Sequence, residues 1–136
     1  MPSILYDGWM TPPASSPPVR FDALNLADPI TKAVTALGYE EPTPVQRAAI
    51  PPLLAGKDVL GQAATGTGKT AAFALPLLHL LTPSAPAKER TKALVLVPTR
   101  ELAMQVAEAI HRYGREMGAV SLPIYGGASM ETQLRA

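Results

Sequence analysis

Cysteine is absent from all 136 residues. That excludes a disulfide framework, a thiolate metal site and a cysteine nucleophile, and it fits a cytoplasmic protein. Excess charge of either sign is also missing: 12 Lys and Arg face 11 Asp and Glu, for a net charge of +1. A broad electrostatic grip on nucleic acid or on a membrane surface is therefore excluded, and any polyanion must be held at a local, shaped site. No apolar run approaches the roughly 18 residues of a membrane span. The N-terminus, Met1 to Pro13, lacks the basic start and apolar stretch of a signal peptide. The histidines His79 and His111 each stand without a second ligand at useful spacing, so a histidine metal site is not expected.

What is present suffices for one domain, with 47% of residues hydrophobic. Residues 1–19 contain Pro12, Pro13, Pro17 and Pro18, which remove backbone donors and favour extended chain, so they read as a flexible Pro-rich leader. Trp9 is given no role there. Asp28-Pro29 reads as a helix cap and first turn, with Ile30, Val34 and Leu37 on one face and Gly38 as the stop. A second helix starts at Thr43-Pro44, and Pro51-Pro52 should bend or end it. Asp58-Val59-Leu60 reads as a short strand. An apolar helix to about Leu81 follows, with a kink expected near Pro76. Residues 82–92 read as a surface loop. Ala93 to Val97 is apolar at every position, the pattern of a parallel strand covered on both faces. Thr99 should cap a helix reaching about Met117, with Leu102, Val106, Ile110, Tyr113 and Met117 buried. Val120 to Tyr125 is a further strand weakened by Pro123, Gly126-Gly127 turn the chain, and Met130 to Ala136 start another helix. Strands alternating with helices predict an α/β fold built on a parallel sheet flanked by helices.

The strongest chemical signal is Ala63-Ala64-Thr65-Gly66-Thr67-Gly68-Lys69-Thr70 between strand and helix. A polyphosphate needs several converging backbone N–H groups, and Gly66 and Gly68 let the main chain turn close to it. The helix opening at Gly68-Lys69 directs its positive end at the anion. Lys69 can reach the terminal phosphates, and the Thr70 hydroxyl can ligate Mg²⁺. The general pattern has Gly where this chain has Ala63. A glycine-rich turn capping an ordinary helix is the plain alternative, and the strand-to-helix context favours the phosphate loop.

Phe21, followed by Gly38-Tyr39-Glu40-Glu41-Pro42-Thr43-Pro44-Val45-Gln46, resembles the Q motif of DEAD-box RNA helicases. Ala63 to Thr70 resembles that family's variant of the P-loop, in which Ala at the first position is usual. Pro98-Thr99-Arg100-Glu101-Leu102-Ala103 resembles its motif Ia, and Gly126-Gly127 its GG doublet. The resemblance is nearest to the bacterial cold-shock or ribosome-assembly type. It implies a P-loop NTPase of RecA-like fold and an ATP-dependent RNA helicase with ATP and Mg²⁺ as cofactors. Gln46 would read the adenine edge, Tyr39 would stack on the base, and Phe21 would support the pocket. Ala63, Ala64, Thr65, Gly66, Thr67, Gly68, Lys69 and Thr70 would hold the phosphates, with Lys69 and Thr70 serving catalysis. Pro98, Thr99, Arg100, Glu101, Gly126 and Gly127 would hold RNA backbone without reading bases. Spacing alone leaves alternatives open. Thr43 and Gln46 also form a capping-box pattern, Thr99 is also a plain cap, and Arg100 also suits an internal ion pair. Glu41 stands where many relatives carry a basic residue, which puts an extra base contact there in doubt.

Hydrolysis also requires a carboxylate for metal and water. No acidic residue follows an apolar strand run in the required way: Asp58 precedes its strand and Glu101 opens a helix. The family's Asp-Glu-Ala-Asp and Ser-Ala-Thr segments and its second helicase domain are not found. Residues 20–136 are therefore expected to form an incomplete, truncated helicase ATP-binding domain, not competent for turnover alone. A non-hydrolysing ATP- and RNA-binding fragment and a different P-loop ATPase remain the competing readings.

Overall fold

A computed structural model describes residues 4–7, 20–82 and 91–135. Its order is β1 (Ile4–Asp7), α1 (Asp28–Ala36), α2 (Pro44–Leu54), β2 (Val59–Gln62), α3 (Lys69–Leu81), α4 (Arg100–Tyr113) and α5 (Met130–Arg135). Short 3-10 turns lie at Phe21–Leu24 and Arg115–Met117. α3 is the hub. Ala71, Ala72, Ala74, Leu75, Pro76 and Leu78 are all buried, as expected of a helix that is apolar on most sides. On one flank it meets Ile30 and Val34 of α1, Ile50 of α2, and Val106 and Ile110 of α4. On the other, Ala72 joins Val45 and Ala49 of α2, with Val59 and Ala63 against them. The strand-to-helix corner at residues 63–68 is thus clamped from both sides.

Local chemistry explains the helix ends. Ala27 caps α1 and Pro29 lies in its first turn, one residue earlier than the sequence pattern suggests. The His79 ring closes this corner, its Nδ1 accepting the Ala27 N–H at 3.0 Å. α2 does not end at Pro51-Pro52 but continues to Leu54. The prolines cost ladder hydrogen bonds, and the burial of Ile50 together with packing on α3 offsets the loss. At α4 the Thr99 hydroxyl accepts the Leu102 N–H at 3.2 Å, the cap expected of it. The helix ends at Tyr113 and not Met117, with Gly114 as its C-cap, and a 3-10 turn carries the chain on.

The sheet departs most from expectation. β1 pairs with β2 in parallel, Ile4 opposite Val59 and Asp7 opposite Gln62. The leader reading of residues 1–19 is thereby corrected at Ile4–Asp7, where a free strand edge supplies partners that composition cannot reveal. Its remaining residues, Trp9 and the prolines included, lie outside the described residues, as does most of the 82–92 loop. Ala93–Val97 and Val120–Tyr125, both expected as strands, run without ladder partners among the described residues. Leu94 and Leu96 are 80% and 85% exposed, whereas Val95 and Val97 pack on the core. The two-sided cover read from the apolar run is met on one face only.

Candidate functional site

β2 delivers the chain into the glycine-rich turn, and α3 begins at Lys69 immediately after it. Gly66 and Gly68 take φ of +78° and +87°, conformations that L side chains rarely adopt. The Thr67 hydroxyl donates to the Ala64 carbonyl at 2.8 Å and tightens the curl. Lys69 folds back across it, its Nζ donating to the carbonyls of Ala63 and Ala64, both at 2.6 Å. An exposed cation is thus held over the turn, where an anion's oxygens can replace those carbonyls. Thr70 lies half-buried one residue further along α3. Lys69, Thr70, Gly61, Val59 and Val97 share the lining of a cleft of about 390 Å³.

Gln46 is 1% exposed and joins this turn to α2. Its Oε1 accepts the Thr43 N–H at 2.9 Å, and its Nε2 donates to the Gly68 carbonyl at 3.2 Å. The capping-box arrangement is in place, Gln46 reaching back to the Thr43 N–H and the Thr43 hydroxyl facing the Gln46 N–H, but the buried hydroxyl has no hydrogen bond of normal geometry among the described residues. A buried hydroxyl left unsatisfied is costly, and this one lies at the shoulder of the glycine-rich turn, beside Gly68. Sequence reasoning assigned it only a capping role.

Phe21 is buried and meets Tyr39 edge to face, with ring centroids 5.9 Å apart. Tyr39 meets Tyr113 in the same way at 6.2 Å, and their hydroxyls are hydrogen-bonded at 3.1 Å. The hydroxyl end of Tyr39 is thus committed to the end of α4, a link no local pattern suggests. Burial, reinforced by the Tyr39 hydrogen bond, pushes the Tyr113 phenol well above its usual range.

The structure brings Pro98, Thr99 and Arg100 together with Ile124, Tyr125 and Gly126 around a second cleft of about 370 Å³. Gly127, at φ +88°, lies beside Arg100. The Arg100 Nε donates to Glu101 Oε1 at 2.8 Å, both side chains well exposed. That hydrogen bond holds the Glu101 carboxyl below the usual carboxylate range. Val97 lines both clefts, so the glycine-rich turn and the Thr99 turn flank one extended segment.

A parallel strand, a glycine-rich turn bearing a lysine and a buried helix define the P-loop class of nucleotide-binding α/β protein. Within that class the family described as DEAD/DEAH box helicase matches residues 43–136. The chain belongs to this family. It is 48% identical over 118 residues to the DEAD-box ATP-dependent RNA helicase CshA of Bacillus licheniformis, covering 87% of this chain and 24% of that protein. To the ATP-dependent RNA helicase DeaD of Klebsiella pneumoniae it is 52% identical over 117 residues, covering 85% and 18%. Among solved structures, the RNA helicase Prp28 from Chaetomium thermophilum bound to ADP superposes with a TM-score of 0.79 at 40% identity, covering 91% of this chain and 31% of that one. Dbp5 of S. cerevisiae bound to RNA and ADP BeF3 gives 0.64 at 36%, covering 71% and 25%. The RecA-like fold expected from the sequence is the fold of these neighbours, and the chain spans about a quarter or less of the curated relatives' length.

Proposed function

We propose that residues 20–136 form part of the ATP-binding domain of a cytoplasmic ATP-dependent RNA helicase, whose complete protein couples ATP hydrolysis to local unwinding of RNA duplexes. The observation that carries this reading is the buried Gln46 bridging Thr43 and the Gly68 carbonyl. An amide wired into the phosphate turn can report adenine to the loop that holds the phosphates. Bound ATP with Mg²⁺ would supply the reacting phosphoryl group and the cation that neutralises its charge. Ala63 to Gly68 would cradle the phosphates with main-chain N–H groups, Lys69 would exchange its two carbonyls for phosphate oxygens, and the Thr70 hydroxyl would meet the metal. Phe21 and Tyr39 would wall the base side, with the free Thr43 hydroxyl as a further polar contact. Pro98 to Glu101 and Gly126-Gly127 would hold the RNA backbone, with Glu101 orienting Arg100.

The chain by itself is proposed to bind without turnover. Asp58 and Glu101 are exposed, one before β2 and the other paired with Arg100, and neither is suited to hold metal at the phosphate turn. Titration with labelled ADP and ATP tests the core of the proposal. Lys69→Ala is expected to weaken binding about 10- to 100-fold, the loss of a charge-assisted contact. Binding of neither nucleotide to the folded chain, with or without Mg²⁺, would overturn it. RNA-stimulated hydrolysis abolished by Lys69→Ala would overturn the non-turnover statement alone.

A further inference from the structure

Gln133 lies in α5, and its side-chain amide is turned onto the main chain of the preceding turn. Its Oε1 accepts the Tyr125 N–H at 2.9 Å, and its Nε2 donates to the Tyr125 carbonyl at 3.2 Å. The same Nε2 reaches the Ala128 carbonyl at 3.5 Å. One amide thus satisfies both polar groups of Tyr125, as a neighbouring strand would, and touches the chain again beyond the glycines. A primary amide can do this because donor and acceptor lie in one plane on one side chain. The clamped residues straddle Gly126-Gly127. Two adjacent glycines leave the main chain free to sample many shapes, and restraint must come from outside the pair. Tyr125 and Gly126 also line the cleft facing Thr99 and Arg100. We infer that Gln133 is a positioning residue that fixes the Tyr125–Ala128 turn in the shape that receives an RNA sugar-phosphate backbone opposite Thr99. The inference rests on the RNA reading proposed above and adds to it a residue outside the cleft lining. It makes no contact with RNA itself.

The test uses the full chain and a labelled oligouridine of about a dozen nucleotides, long enough to cross both sides of the cleft. Gln133→Ala is expected to weaken oligouridine binding about tenfold, the effect of losing one to two net hydrogen bonds of organisation. ADP affinity should stay within about twofold, and amide exchange at Tyr125 should accelerate. Gln133→Glu keeps the acceptor for the Tyr125 N–H but loses both donations. It should therefore retain slow exchange at Tyr125 while still binding oligouridine weakly. Wild-type affinity for oligouridine in Gln133→Ala would overturn the inference and leave the RNA reading intact. Parallel loss of ADP and oligouridine binding would also overturn it, because a general folding role moves both. Failure of the wild-type chain itself to bind oligouridine would sink the RNA reading and this role with it.

Discussion

At Gly68 two separate constraints meet. An added Cβ would lie 2.4 Å from Gln46 Nε2 and 3.3 Å from Thr43 Oγ1, and φ is +87°. Because Gln46 is buried and bonded at both ends of its amide, it has no free direction in which to yield. Gly68→Ala should therefore cost roughly 2–4 kcal/mol, part from the clash and roughly 1–2 kcal/mol from the left-handed backbone. Urea unfolding of Gly68→Ala, Gln46→Ala and the double variant separates the two parts. In the Gln46→Ala background the glycine substitution should cost less, with the backbone share remaining. An equal cost in both backgrounds would show that the amide does not pack against Gly68. Tyr113 supplies a pH-dependent counterpart. Its folded pKa is raised, first by burial and then by the Tyr39 hydrogen bond, above an unfolded value of about 10. The folded state thus favours the neutral phenol, and its contribution is fully present below pH of about 10 and lost as pH rises from there toward the folded value. Thermal melts should show wild-type stability falling above about pH 10, with a shallower fall in Tyr113→Phe.

Among the elements, α1 and α3 are joined by a contact that no helical pattern announces. The His79 Nδ1 accepts the N–H of Ala27, the residue capping α1, across 52 positions of chain. This requires a neutral imidazole with its proton on Nε2. His79→Ala should lower stability by about 1 kcal/mol in urea unfolding, and His79→Asn, which offers an acceptor at similar reach, should restore part of it. No loss in His79→Ala would mean that water replaces the ring at that N–H. The same residue shows what was legible and what was not. The glycine-rich turn between β2 and α3, the Thr99 cap and the α2 start could be read because each is set by residues a few positions apart. His79 to Ala27, Tyr39 to Tyr113 and Gln133 to Tyr125 pair a side chain with a remote group, and their spacing carries no signal. β1 was hidden for a related reason: its partner is the edge of β2, and the surrounding prolines dominate the local composition. At Ala93–Val97 the apolar run predicts a strand and none is formed, because a ladder also needs a neighbour and the described residues offer none.

For the molecule as a whole the consequence is an unusual surface. Leu94 and Leu96 are exposed on one extended segment, Val120 and Ile124 on another, and Leu60 on β2. Large apolar side chains exposed in this number exceed what a soluble surface usually carries, and among the described residues the two extended segments have no ladder partner, which adds N–H and C=O groups able to pair with another copy. Both features favour association between copies at high concentration. Sedimentation velocity across a concentration series should therefore show reversible growth in mass. Leu94 and Leu96 contribute little to the core, since Val95 and Val97 make the inward contacts. Replacing the pair with Glu should then weaken association by at least roughly tenfold per leucine, taking about 1.5–3 kcal/mol for each side chain no longer buried between copies. ADP binding should be unchanged, because the turn proposed to hold the phosphates is built from β2, α2 and α3. If Leu94→Glu/Leu96→Glu remains as associated as the wild type, the contact lies elsewhere and Leu60 with the open side of β2 becomes the surface responsible. If it loses ADP binding as well, the segment supports the phosphate turn through Val97 more strongly than its one-sided packing implies.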